Sequence, residues 1–421
     1  MAIPNGVIFI WTGTNTSIPA GWQRVTDLDD RFPKGNTDGS TNPNVTGGAS
    51  THTHTGSSHT HTMQSHTHTI SYGTGSGTIE DSGSSDQNGV ASDHAHPSQT
   101  SGGPTNVSVS SVSVTYTSVS NNPPFYSVIY ITPTSTAGGI PNLSLGLSDD
   151  SGFSNNTGKY NGYYKCDGNN STPDLTDKYL KGASAGANAG TTGGSLTNAH
   201  TLTHTHSISH DHTQLTTPLS AGPFNDNTGG SDMASKTHTH TTTINSASNS
   251  TSDTPSTTTS ENVEPAFKKL LALQNRSGTI YTPVGIIGLW LGTIANIPGN
   301  FEIVSSMYGN HLKITNTNGD IGNTGGSNTH THASSSHTHS AISHNHTGST
   351  SVFGANTRHD GNAQGGIFNH THAVTVSSTN LVLDSADTTA DSSSNDPEFR
   401  TVAFIKYKGE KGGSFIFNLL R

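Results

Sequence analysis

Pairs of histidines recur along this chain in a fixed order, and no other feature limits its fold so tightly. His52/His54, His59/His61 and His66/His68 step by seven residues. The series returns as His200, His204/His206 and His210/His212, then as His330/His332, His337/His339 and His344/His346. After a longer gap each series ends in one more pair: His94/His96, His238/His240 and His370/His372. Only His311 and His359 of the 25 histidines fall outside this register. In an extended strand residues i and i+2 share a face, so both rings of a pair point the same way. Three such strands around one axis bring six imidazoles together. Six neutral ring nitrogens suit an octahedral first-row transition metal, whereas tetrahedral zinc takes four ligands. Without an ion, such a cluster is polar, buried and self-repelling when protonated. The residue inside each pair is usually Thr, whose branched Cβ suits a strand.

The spacing makes a further demand. The second series steps by six, which keeps a strand's facing; the first and third step by seven, which reverses it unless a residue bulges. A bulge is therefore expected between layers in the first and third series, with layers ~20 Å apart at ~3.3 Å per residue. Asn198 stands where the other two series have His52 and His330. That layer has five imidazoles, and the expectation is either a sixth ligand from an amide or water, or an empty or leaky site.

Composition shows why the chain needs such a device. Only 28% of its 421 residues are hydrophobic and 11% charged. So few apolar residues cannot build a large conventional core, and the charge is too low for a typical disordered chain. Fibrous β-structure satisfies both limits. The net charge of −10 argues against nucleic-acid partners. A single cysteine, Cys166, rules out an intrachain disulfide framework. No apolar run reaches membrane-spanning length, and no secretory signal precedes the first strand-like segment.

The histidine series sit inside three copies of a larger unit. PNGVIFIWTG (4–13) returns as PVGIIGLWLG (283–292), and DLDDRFPKG (27–35) as DLTDKYLKG (174–182). The second copy is weak at its start, keeping Ile140-Pro141. Thr-Gly-Gly follows in all three, at 46–48, 192–194 and 324–326. Each unit closes on Pro-x-Phe before an apolar run: PPFYSVIYI (123–131), EPAFKKLLAL (264–273) and DPEFRTVAFI (396–405). The expected division is 1–136, 137–281 and 282–408, with polar excursions at 46–122, 192–263 and 324–395 and a tail at 409–421. Each unit is expected to make a small base from its two ends, and its excursion must go out and come back. His311 aligns with Phe32 and Tyr179 and is expected in the base.

These motifs resemble the phage tail-collar domain. The Pro-x-Gly-x-Ile-x-x-Trp-x-Gly opening, the Ile-Pro-x-Gly-Trp element, Asp-Leu-x-Asp-[Arg/Lys]-[Phe/Tyr]-x-Lys-Gly and the registered histidine pairs together are similar to the collar plus needle at the end of T-even phage long tail fibres. The resemblance implies a mainly β, fibrous fold, with three tandem collar-plus-needle repeats forming an intrachain pseudo-threefold trimer and an elongated intertwined β needle. It implies iron (Fe2+), or another octahedral transition metal, at about four ions per chain, held by the paired histidines. It also implies a virion location, a fibre shaft or other virion protein as carrier, and a host cell-surface receptor, protein or glycan, as target. Family members are homotrimers. This chain carries three unlike copies, so a monomer with internal pseudo-threefold symmetry is expected.

The segments 70–93, 214–236 and 348–369 share almost nothing and carry Tyr72, Phe224, Phe353, Arg358 and Phe368. Aromatic and basic residues on loops held by a scaffold are candidate recognition residues. No catalytic motif is present: no phosphate-binding Gly-rich loop, no Gly-x-Ser-x-Gly and no His-Glu-x-x-His. A receptor-binding adhesin, not an enzyme, is the expected function. The alternative is a structural virion spike, collar, decoration protein or appendage subunit that recognises nothing.

Overall fold

The computed structural model describes residues 3–72, 98–212, 215–219, 238–245, 247–251, 256–278, 281–333, 337, 339, 342–344, 346–350, 353–356, 367–370, 373–383 and 390–409. For 215–219, 238–241, 247–250, 256, 342–343, 350, 353–356 and 367–370 the description covers the backbone alone. The fold is mainly β. Among the described residues there is no α-helix, only short 3-10 turns.

Each repeat supplies three principal base strands. The opening strands are Val7–Trp11, Ser144–Ser148 and Ile287–Trp290; the second strands are Phe32–Gly35, Tyr179–Gly182 and His311–Thr315; the closing strands are Phe125–Pro133, Phe267–Asn275 and Phe399–Tyr407. Opening and closing strands of one repeat pair antiparallel, with Phe9 opposite Ile131, Leu147 opposite Ala272 and Leu289 opposite Phe404. The second strand leaves its own repeat. Phe32–Gly35 runs parallel to the third repeat's closing strand, Tyr179–Gly182 to the first's and His311–Thr315 to the second's.

All of these strands belong to one 15-stranded sheet. The base strands of the three repeats are therefore joined in one sheet. The physical reason is burial. One repeat has too few apolar positions to cover its own strands, so Ile10, Val128, Leu147, Leu180, Leu270, Leu289, Leu312 and Phe404 share a single cluster.

The second repeat's opening strand is intact although its sequence has faded. PNLSLGLS (141–148) lies in register with PNGVIFIW (4–11), and Ser148 takes the place of Trp11 and Trp290. Leu143 adopts a φ of 68° where Gly6 and Gly285 have 92° and 93°. His311 lies in the base as expected, at the position of Phe32 and Tyr179. It is buried, with Nε2 3.2 Å from Asp396 Oδ1. Two steps along these strands, Lys34 and Lys313 pair with Asp396 and Glu264, each at 2.6 Å. Asn122 occupies the corresponding acidic place in the first repeat, and Lys181 lies instead over the rings of Phe125 and Phe32.

Thr-Gly-Gly marks the exit from the base, and its glycines are required sterically. A Cβ on Gly47, Gly193 or Gly325 would meet the ring of Phe399, Phe125 or Phe267. The next residues, Gly48, Gly194 and Gly326, have φ of 71°, 82° and 71°, and a Cβ there would strike the carbonyl of Pro397, Pro123 or Pro265. Thr-Gly-Gly of one repeat and Pro-x-Phe are two halves of one junction.

Beyond the junction the outgoing strands first meet their own returns: Thr51–His52 with Val119–Ser120, Thr197–Asn198 with Glu261–Asn262, and Thr329–His330 with Ser393–Ser394. Further out they also take a neighbour's return. Ser207–His212 of the second repeat pairs with Pro104–Val109 of the first. Gly348–Thr350 of the third pairs with His238–Ile244 of the second, and Thr69–Tyr72 of the first with Val374–Val376 of the third. The bulge expected in the first series is present: Ser58 faces Ser113 but Thr55 faces Thr115, three residues against two. The corresponding residues of the third series, 334–336, lie outside the described residues. In the second series, which steps by six, the extra residue lies on the partner strand, near Asn106 at φ 51°.

Candidate metal centre

Among the described residues the first three layers of histidines converge, and three sets of imidazoles result. The first is His52, His54, His200, His330 and His332. The second comprises His59, His61, His204, His206, His337 and His339, which form two overlapping groups of close ligand atoms. In the third, His66, His68, His210, His212 and His344 are joined by His346, whose Nε2 lies 3.2 Å from that of His210. The ring arrangement in the third set is that of an octahedron. His66 lies edge-to-face against His68, His210, His212 and His344, and His346 against His68, His210, His212 and His344. These two rings share all four neighbours and stand opposite each other.

The direction of the nitrogen lone pairs decides what such a set can do. In the first set His54 donates Nδ1–H to Asp391 O at 2.6 Å, His200 to Thr117 O at 2.6 Å and His332 to Thr259 O at 2.8 Å. His52 and His330 donate to the Oδ1 of Asn121 and Asn395. Each of those amides is oriented by its own Nδ2, which donates to Ala49 O or Ser327 O. With all five protons on Nδ1, all five Nε2 atoms present lone pairs to the interior. These nitrogens nevertheless approach one another: His52 and His200 at 3.1 Å, His330 and His332 at 3.1 Å, His54 and His330 at 3.3 Å. No proton is available to bridge them. A cation bound at about 2.1 Å in octahedral geometry sets neighbouring nitrogens about 3.0 Å apart, and so fits the cluster.

The other two sets repeat the scheme at four rings, whereas Nδ1 of His59, His204, His210 and His344 is buried without a hydrogen-bond partner. His206 donates Nδ1–H to Ser110 O, His68 to Ser377 O, His212 to Gly102 O and His346 to Asn245 O. Nε2 pairs stand 2.9 Å apart at His204/His337, 3.2 Å at His59/His337 and 3.2 Å at His66/His210. The acceptors form a clamp that the sequence does not announce. Asp391, Thr117, Ser110 and Ser377 each take the ring proton on the carbonyl, and their side-chain oxygens take the next backbone N–H, from Thr55, Thr201, Ser207 and Thr69. Abundant Ser and Thr thus satisfy backbone donors that a wider sheet would pair. Carbonyl acceptors carry no side-chain signature. Asn121 and Asn395 are legible in principle, since each stands two residues before the Pro of Pro-x-Phe.

Burial and mutual repulsion disfavour the protonated form of several of these rings. Burial, then the neighbouring imidazoles, pull His52, His59, His330 and His344 down to about 4. Burial takes His204 and His210 to about 3, with the same neighbours adding to it. Apolar plugs separate the sets: Val114, Tyr116 and Leu202 form one cluster, and Met63, Ile208, Leu381 and Leu383 another. By keeping water out, they raise the cost of leaving the converging lone pairs unsatisfied.

The remaining expected residues are placed less completely. His94, His96 and His372 lie outside the described residues, as do the side chains of His238, His240 and His370, so the fourth set is not seen. Phe224, Arg358 and His359 also lie outside, and Phe353 and Phe368 are described by backbone alone, within paired strands. Tyr72 ends a strand and is half-buried, its hydroxyl 3.0 Å from Thr242 Oγ1. No helix among the described residues is long and apolar enough to cross a membrane. Comparison of the chain with protein-family models, curated proteins and solved structures finds no match.

Proposed function

We propose that the chain is a metal-stapled, receptor-binding tip of a phage tail fibre, in which three repeats of one polypeptide wind about a common pseudo-threefold axis as a collar and needle. The observation that carries the reading is the convergence of imidazole nitrogens in each histidine set, most completely in the first, where all five opposite ring nitrogens are committed to fixed acceptors and the Nε2 lone pairs face one another. Support for the shared axis comes from the strand exchange, which passes from first repeat to third, third to second and second to first in both base and excursions. The viral part of the reading rests on the motif resemblance.

In this reading iron or another octahedral ion occupies each set, the paired histidines hold it, and the ions supply cohesion to strands that lack a thick core. The divergent segments 70–93, 214–236 and 348–369 then contact the host, and another virion protein carries the base. The test is binding of the purified chain to cells of the bacterium infected by the parent phage, before and after replacement of 348–369 by a short Gly-Ser turn. Loss of binding with metal content unchanged supports recognition. Unchanged binding favours the structural spike or decoration role.

A further inference from the structure

The first histidine set differs from the other two, and the difference is chemical. His54 lies edge-to-face against His52, His200, His330 and His332. In the octahedral pattern of the third set, a ring with four such neighbours has a sixth ring opposite. Among the described residues no imidazole stands opposite His54. The register gives that place to Asn198, which faces Glu261 as His52 faces Val119 and His330 faces Ser393.

Two further observations show that the place is built without a ring. Where His52 and His330 are present, their Nδ1–H groups have dedicated acceptors in Asn121 and Asn395. The equivalent residue of the second repeat, two before Pro265, is Val263, whose side chain accepts nothing. Ligand and acceptor are thus absent together. Asn198 is oriented by Nδ2, 3.4 Å from Ser120 O, while its Oδ1 is buried with no hydrogen-bond partner. An amide reaches less far than an imidazole, so Oδ1 stops short of where Nε2 would sit. The gap has the chemistry to hold a donor between a metal ion and Oδ1, and a coordinated water is such a donor.

We propose that the metal of the first set keeps one exchangeable coordination position, opposite His54, occupied by water hydrogen-bonded to Asn198 Oδ1 and open to small ligands such as nitric oxide or azide. This rests on the metal reading above. The second and third sets, each with six imidazoles, offer no such position. Asn198 is half-buried while the five rings around it are buried, so small solutes reach the position from its side.

The test uses the full chain, reconstituted with Fe2+ without oxygen, its iron counted by elemental analysis, then exposed to nitric oxide and read by electron paramagnetic resonance. The expected result is the half-integer-spin signal of an iron–nitrosyl at one iron per chain. Asn198→His with Val263→Asn should abolish it without lowering iron content, and Asn198→Ala should retain it. A fully loaded chain with no nitrosyl signal overturns the proposal, as does a signal that survives in the double variant at full strength. A signal that appears only in Asn198→Ala also overturns it, because the amide oxygen would then be the sixth ligand. Failure to take up iron or any other octahedral ion overturns the metal reading itself, and elemental analysis separates that outcome from the others.

Discussion

The base and the histidine strands bury different things. The base hides Leu, Ile, Val and aromatic side chains in a core shared by all three repeats. The histidine strands hide imidazoles, with small apolar plugs between them. Water leaves the base without compensation from any ligand, because hydrocarbon burial is favourable by itself. In the histidine strands the buried groups carry lone pairs that face one another, so their burial is unfavourable until a cation accepts them. The histidine strands hold only small apolar clusters, and in the proposed reading coordination would supply the cohesion that hydrocarbon burial supplies in the base.

The sharpest way to break this contrast is to remove the ions. Chelation at mildly acid pH should greatly accelerate amide exchange in 51–70 and 101–120, while Phe125–Pro133 and Phe267–Asn275 stay protected. Equal loss in both regions would mean that the two share one source of stability. The next largest effect is local. His204→Ala with His206→Ala removes both second-repeat ligands of the middle set, and elemental analysis should find one ion fewer per chain with an unchanged thermal transition for the base.

The converse substitution falls in the base. Glu264→Gln leaves Lys313 without its buried partner 2.6 Å away, a change that costs about 3–5 kcal/mol in comparable pairs. Denaturant titration should show that loss in the base transition with metal content intact. Asn395→Ala is subtler, since it deprives His330 of its acceptor without touching a ligand. Metal affinity at the first set should fall about 10–100-fold, measurable by competition with a chelator of known affinity.

The smallest contrast is in pH. His52, His59, His212, His330 and His344 are depressed by burial to about 4, against an unfolded value of about 6.5. Between those values the unfolded chain binds more protons. Stability of the histidine strands is therefore complete above the unfolded value and falls as pH drops towards 4. Thermal melts of the chelated chain across that window should shift for the histidine strands. The base holds the buried His311, also lowered by burial, so the second transition should move in the same direction but by less, with one such ring against many.

Much of this architecture is legible in the residues themselves. The paired histidines, Thr-Gly-Gly and Pro-x-Phe mark the ligand strands and the junction, because each depends on side-chain type at fixed spacing. The seven-residue step even requires the bulge found between Thr55 and Ser58. What stays hidden depends on partners rather than residue type. Ser144–Ser148 pairs through its backbone whether or not a Trp is present, so losing Trp erased the motif and kept the strand. The single shared base and the carbonyl clamps at Thr117, Ser110 and Ser377 follow from which repeat lies alongside, and local sequence does not encode that.

The most direct test is elemental analysis of the purified chain at known mass, combined with X-ray absorption at the metal edge. The account predicts a monomer with one first-row transition-metal ion per histidine set, its nearest neighbours predominantly imidazole nitrogen at about 2.1 Å. A folded, protease-resistant chain with no bound metal would contradict it.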